Sequence, residues 1–157
     1  MSVPHIPALR RGQPYESLDR TEVVDHRTGA VLATVSQANA GLLRKDLRRI
    51  GESRAALRSF PVQELVELCA RAGNLFLNGT LPLGDQGHTQ SPDQYVESLS
   101  ASSGLPHVMI RRNMRKIHDA LANMAVVLNG LTRGLDLAIL DRGYGQQFGT
   151  RISYYPT

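Results

Sequence analysis

Residues 105–134, LPHVMIRRNMRKIHDALANMAVVLNGLTRG, decide how the chain is read. Ile110, Met114, Ile117, Leu121, Met124, Leu128, Leu131 and Leu135 recur at alternating steps of four and three, which keeps them on one side of an α-helix. Pro106 suits a first helical turn, where a missing N–H leaves nothing unsatisfied, and Gly134 suits the left-handed residue that closes a helix. The spacing predicts one amphipathic helix, roughly 40 Å long at about 1.5 Å per residue. Such a seam needs other elements to cover it.

Working outward, Ser91-Pro92-Asp93-Gln94 carries the pattern of a capping box with proline at the first helical position. A short helix to about Ser102 follows, with Tyr95, Val96 and Leu99 as its apolar face and Ser103-Gly104 as its stop. Residues 80–90, TLPLGDQGHTQ, read as a loop. Before them, Pro61 opens a helix with Val62, Leu65, Val66, Cys69, Ala72 and Phe76 on one side, and Asn78-Gly79 ends it. Glu67 stands four residues ahead of Arg71, the favourable order for an ion pair. Ser36 is placed to cap a still earlier helix, in which Leu43, Leu47, Ile50 and Leu57 recur down to about Ser59, with Gly51 weakening its middle.

Residues 21–24 and 30–35 alternate as two strands, and Asp25-His26-Arg27-Thr28-Gly29 joins them into a β-hairpin. Val31, Ala33 and Val35 face inward there, and Leu32 and Thr34 face the other way. Residues 1–20, with Pro4, Pro7, Gly12 and Pro14, read as an extended N-terminal arm without a core of its own. At the other end residues 135–140 are short and apolar. Residues 141–149, DRGYGQQFG, space their glycines as G-x-G-x-x-x-G rather than G-x-G-x-x-G, so they do not form a dinucleotide-binding turn. Residues 151–155 read as a strand with no later strand to pair with it. The fold class expected is mainly α, with an N-terminal β-hairpin and a C-terminal strand.

A chain of 157 residues is long enough for one domain with a sizeable core. With 41% apolar and 20% charged residues it has an ordinary globular composition, and 5% aromatics without tryptophan predict an aliphatic core. No apolar run is long enough to span a bilayer, and the first residues lack a secretory signal, so no membrane partner and a cytoplasmic location are expected. A single cysteine, Cys69, excludes an internal disulfide framework and a zinc site built on several thiolates.

The formal charge of +4 and pI near 9.6 raise a nucleic-acid partner, but the basic residues are scattered and have no interleaved aromatics to stack bases. Arg44, Lys45, Arg48, Arg49, Arg54 and Arg58 read as a solvated helix face. Arg111, Arg112, Arg115 and Lys116 have the wrong sign for the positive end of a helix dipole, which calls for acidic neighbours or a bound anion. His107 and His118 share a helix face without a carboxylate or second histidine at metal-ligand spacing. Cys69 lies within an apolar stripe and reads as a small hydrophobe, not a nucleophile. These patterns assign no catalytic, cofactor-binding or metal-ligating residue.

Two segments resemble the N-terminal part of the aldehyde dehydrogenase superfamily, including its acyl-CoA-reductase-like members. TEVVDHRTGAVLATVSQANA is similar to the opening of that family. SPDQYVESLSASSGLPHVMIRRNMRKIHDALANMAVVLNGLTRGLDLAILDRGYG is similar to the helical segment leading to the cofactor domain. The resemblance implies that residues 21–157 are an incomplete N-terminal part of an α/β aldehyde-dehydrogenase-like fold. It further implies a full-length parent that oxidises an aldehyde or reduces an acyl thioester with NAD or NADP. The family's oxyanion asparagine, cofactor loop, general-base glutamate and nucleophilic cysteine all lie beyond the point matching Thr157, and Cys69 does not match the nucleophile motif. The implied partner is the remainder of the parent enzyme, with a homo-oligomer left open. A different reading is a small complete helical protein that binds an acidic partner or nucleic acid through its Arg-rich faces.

Overall fold

A computed structural model of the chain describes residues 3–84 and 86–142. The arm at the N-terminus carries strands β1 (His5–Ile6), β2 (Ala8–Arg10) and β3 (Gln13–Tyr15), of which β2 and β3 form a tight antiparallel hairpin. Its turn residues Arg11 and Gly12 both have positive φ, 54° and 79°, the geometry that matches the twist of a two-residue hairpin.

The hairpin read from the sequence is β4 (Arg20–Val24) with β5 (Val31–Ser36), antiparallel and irregular in register between Val23 and Val24. The Asp25 carboxylate closes the connection by accepting from the N–H groups of Arg27 (2.8 Å) and Thr28 (3.2 Å). Those two donors, led by Arg27, hold its pKa below the usual carboxylate value. β1 adds to the free side of β5 in parallel, giving the order β1-β5-β4. His5 stands opposite Thr34, and its ring nitrogens lie 2.8 Å from Thr34 Oγ1 and 3.0 Å from Ser36 Oγ. The His5 ring therefore sits on the face of β5 that carries Thr34 and Ser36, and His5 is buried.

Ser36 is consumed by this network, since its Oγ also accepts from the Ser17 N–H at 3.0 Å, so it caps no helix. Asn39 does so instead, accepting from the Leu42 N–H at 2.9 Å ahead of α1 (Ala40–Leu47). The helix expected to run on to Ser59 is interrupted at Arg49, whose φ of −108° and ψ of 14° leave the helical region, and resumes as α2 (Ile50–Arg58). Gly51, just after the break, gives the backbone little propensity to resist it.

α3 (Val62–Asn78) starts after Pro61, and its Val62 N–H is satisfied at 3.0 Å by Asp141 from the far end of the chain. Where a loop is expected there is a further hairpin, β6 (Leu81–Leu83) with β7 (His88–Gln90). It lies so close to β1 that a Cβ on Gly84, at φ 71°, would strike the His5 carbonyl oxygen. α4 (Pro92–Ser103) has the full capping box, Gln94 N–H to Ser91 Oγ and Ser91 N–H to Gln94 Oε1, and ends on left-handed Gly104. The β4–β5 connection is pinned to that end by the His26 N–H, 2.9 Å from the Ala101 carbonyl.

The long helix of residues 105–134 is two helices, α5 (His107–Ala122) and α6 (Met124–Leu131), followed by the short α7 (Ala138–Arg142). Asn123 divides them, with φ −97° and ψ 14°. Its side-chain amide donates to the Asp119 carbonyl at 2.7 Å, the same oxygen that its backbone N–H uses at 3.0 Å. A short amide competing for helix carbonyls is the ordinary reason asparagine interrupts helices. Pro106 sits just outside α5 rather than in its first turn, and Gly134 takes the left-handed conformation after α6 (φ 78°).

The core is small. Val96, Ile110 and Met114 form it, with Phe76, Leu77, Tyr95 and Leu99 packed around them. Phe76 and Tyr95 meet edge to face, centroids 5.4 Å apart. α3 against α5 is the most extensive helix contact, and it is tight at Gly73, where an added Cβ would lie 3.1 Å from Leu121 Cβ. The structure is thus mixed, predominantly helical with small sheets. No helix among the described residues is long and apolar enough to cross a membrane. The strand expected over residues 151–155, and most of the glycine-rich segment before it, lie outside the described residues.

Candidate interaction surface

The seam that organises α5 and α6 is fully buried only at its beginning and half-buried at Leu121, Met124 and Leu128. Ile110 is 1% exposed and Met114 is buried beside it, whereas Ile117 is 36% exposed and Leu131 76%. α6, with the sequence MAVVLNGL, contains no charged residue and no buried one. Val126, Val127 and Leu131 of α6 stand in the open, as does Leu135 beyond it. The stripe of α1 and α2 is equally bare, because Leu43, Leu47, Ile50 and Leu57 are all exposed. On α1 and α2 these apolar residues alternate with a dense run of charged ones, whereas on α6 no charge separates them.

At the start of α5, Arg111 pairs with Asp93 of α4 at 2.9 Å. An acidic neighbour therefore answers the wrong-signed first turns in part. Arg112, Arg115 and Lys116 have no such partner among the described residues, and they line an open groove with Met109, Asn113 and Asp119. Cys69 is half-buried on α3. His118 lies 3.0 Å from Asp119, its chain neighbour. No cluster of three metal-ligating side chains occurs among the described residues. The expected Glu67–Arg71 pair is not formed, since Glu67 accepts from Gln63 instead at 3.0 Å.

One constellation was missed by reading the Arg-rich run as a solvated face. Arg10 of β2 grips Asp46 of α1 with two hydrogen bonds, Nε at 2.8 Å and Nη2 at 2.7 Å, and lies 4.8 Å over the Tyr15 ring. Arg49 holds Glu52 in the same two-pronged way, at 2.9 Å each, and Arg11 from the turn of the β2–β3 hairpin joins the same carboxylate at 2.8 Å. The guanidinium hydrogen bonds lower the pKa of Asp46 and of Glu52, and raise those of Arg10 and Arg49. The clue in the sequence was that Asp46 and Glu52 interrupt the basic run. What it could not give was the hairpin that brings Arg10 and Arg11 to them.

Comparison of the chain with protein-family models, with curated proteins and with solved structures found no match in any of the three.

Proposed function

We propose that this chain is the N-terminal portion of an aldehyde-dehydrogenase-like oxidoreductase, a packing wall for a cofactor-binding part and not catalytic alone. The observation that carries the reading is α6: an uncharged helix with no fully buried residue, continuing a seam that is core at Ile110 and Met114 and leaving Val126, Val127 and Leu131 exposed. Burial of apolar surface is worth about 25 cal/mol per Å². A partner that covers Ile117, Val127 and Leu131 would gain from a face this chain leaves in water. The resemblance of residues 21–40 and 91–145 to the superfamily supplies the identity of that partner. On this reading the parent, in the cytoplasm, oxidises an aldehyde or reduces an acyl-CoA with NAD or NADP. Nucleophile, general base and cofactor loop belong to the parent's remainder, and Cys69 serves α3 as a half-buried packing residue.

Reading the genomic frame beyond Thr157 tests this. The expected result is an open frame encoding a cofactor loop, a glutamate base and a nucleophilic cysteine. A stop codon there, with a folded monomeric product that binds no apolar dye, would overturn it. The alternative, a complete helical protein that binds an acidic partner, draws on the unpaired Arg112, Arg115 and Lys116. It requires steeply salt-dependent binding to a polyanion.

A further inference from the structure

Between the β2–β3 hairpin and α1 lies an open cleft of about 530 Å³, lined by Arg10, Arg11, Tyr15, Lys45, Asp46 and Arg49. We infer that it is a binding site for a small diphosphate-bearing molecule.

The charges do not balance. Arg10, Arg11, Lys45 and Arg49 face Asp46 and Glu52 alone, which leaves a surplus of two positive charges over these six side chains. Lys45 has no ion-pair or hydrogen-bond partner among the described residues. A lone carboxylate would neutralise half the surplus, and a diphosphate matches or exceeds it.

Stabilisation does not account for the cluster. Its pairs are partly exposed, the Arg10 and Asp46 side chains at 22% and 30%, and solvent-screened ion pairs of this kind contribute little to stability. Nor does apolar packing hold the hairpin down, because Leu9 points its side chain into water at 75% exposure. What the network does achieve is to fix three guanidinium groups. The carboxylates take one edge of Arg10 and Arg49, and the Tyr15 ring takes one face of Arg10. The N–H groups of these cleft-lining guanidiniums that the carboxylates do not use remain available to an anion, from side chains already held in part, which lowers the cost of binding. Lys45 adds a mobile point charge of the kind that follows a second phosphate.

The same geometry argues for a small ligand over a nucleic acid. Arg10 already covers a face of Tyr15, the one aromatic ring lining the cleft, so a base has poor access to it for stacking. The cleft volume falls within the ~300–1,000 Å³ range of small-molecule sites.

Equilibrium dialysis of the 157-residue chain against radiolabelled inorganic pyrophosphate at fixed ionic strength tests the site, and it reads binding in any association state. One saturable site per chain is expected. The double variant Arg11→Gln/Lys45→Gln, which leaves Arg10–Asp46 and Arg49–Glu52 intact, is expected to weaken binding at least about tenfold with an unchanged circular dichroism spectrum. Arg115→Gln/Lys116→Gln on α5 removes equal charge elsewhere and is expected to change it less than about twofold. Absence of saturable binding overturns the site. So does equal loss in both double variants, which would mean a nonspecific field, or tighter binding of a single-stranded oligonucleotide than of pyrophosphate.

Discussion

Truncating Ile110 tests whether the chain has one small core, with the rest of the α5–α6 seam outside it. Ile110 is 1% exposed on α5 and shares the core with Val96 and Met114. Ile110→Ala removes three buried carbons, about 2.4 kcal/mol at ~0.8 kcal/mol each. The hole is bounded by α3, α4 and α5, with α3 and α5 in close contact at Gly73, so it collapses only in part. The cavity penalty brings the expected loss to about 3–4 kcal/mol, inside the ~2–5 kcal/mol range of such truncations. With a urea m-value of about 2 kcal/mol/M, the midpoint should fall by about 1.5–2 M at unchanged slope. Ile117→Ala, two turns further along the same helix at 36% exposure, should lose less than about 1 kcal/mol. Urea titrations followed by circular dichroism on both variants decide the matter. Equal midpoints would refute the reasoning, because they would mean that the seam is buried along its length or that the core does not limit stability.

Gly84→Ala should destabilise by more than the roughly 1 kcal/mol expected of a positive-φ glycine, because its Cβ meets the His5 carbonyl; Gly87→Ala, at φ 76° with open space around it, should show the φ term alone. Equal denaturation midpoints for the two would count against the hairpin's seat on β1. Asp46 and Glu52 have lowered pKa values in the folded chain, so their contribution is full above the ordinary carboxylate value of about 4 and is lost as pH falls through the lowered ones. Asp46→Asn should therefore flatten the acid side of a melting-temperature profile and leave the alkaline side parallel; a uniform offset at every pH would refute this. Val127→Lys/Leu131→Lys should reduce apolar-dye binding and self-association with unchanged helicity, whereas a collapse of the helical signal would show that α6 packs within the chain. The isolated chain should oxidise no aldehyde with NAD or NADP, and turnover above a buffer blank would contradict its reading as a non-catalytic portion.

Features set by residues a few positions apart were legible in the sequence. The capping box at Ser91 and the left-handed stops at Gly104 and Gly134 depend on local geometry and are present. Those that failed depend on distant partners. Ser36 has every property of a helix cap, but a histidine thirty-one residues earlier claims its hydroxyl, and the cap moves to Asn39. His5 gave no signal, since its burial comes from a parallel pairing that no short window contains. The β6–β7 hairpin was hidden because three-residue strands offer too little alternation, and Pro82 argues against a strand.

The break at Asn123 sharpens what the seam of residues 105–134 means. A periodic pattern reports only that one side of a helix avoids water, and it is silent on which molecule supplies the other side. α5 finds its cover within the chain, in α3 and α4, and there the seam becomes core at Ile110 and Met114. Past Asn123 the apolar residues become denser and the arginines and lysines of α5 stop, while cover becomes partial: α6 touches α3 and keeps Met124 and Leu128 half-buried, but leaves Val126, Val127 and Leu131 exposed. A helix meant to remain in water would show the opposite trend, with charge rising as packing falls. The seam therefore changes character at Asn123, from a charged helix packed on α3 and α4 to an uncharged one that touches α3 and stays partly exposed.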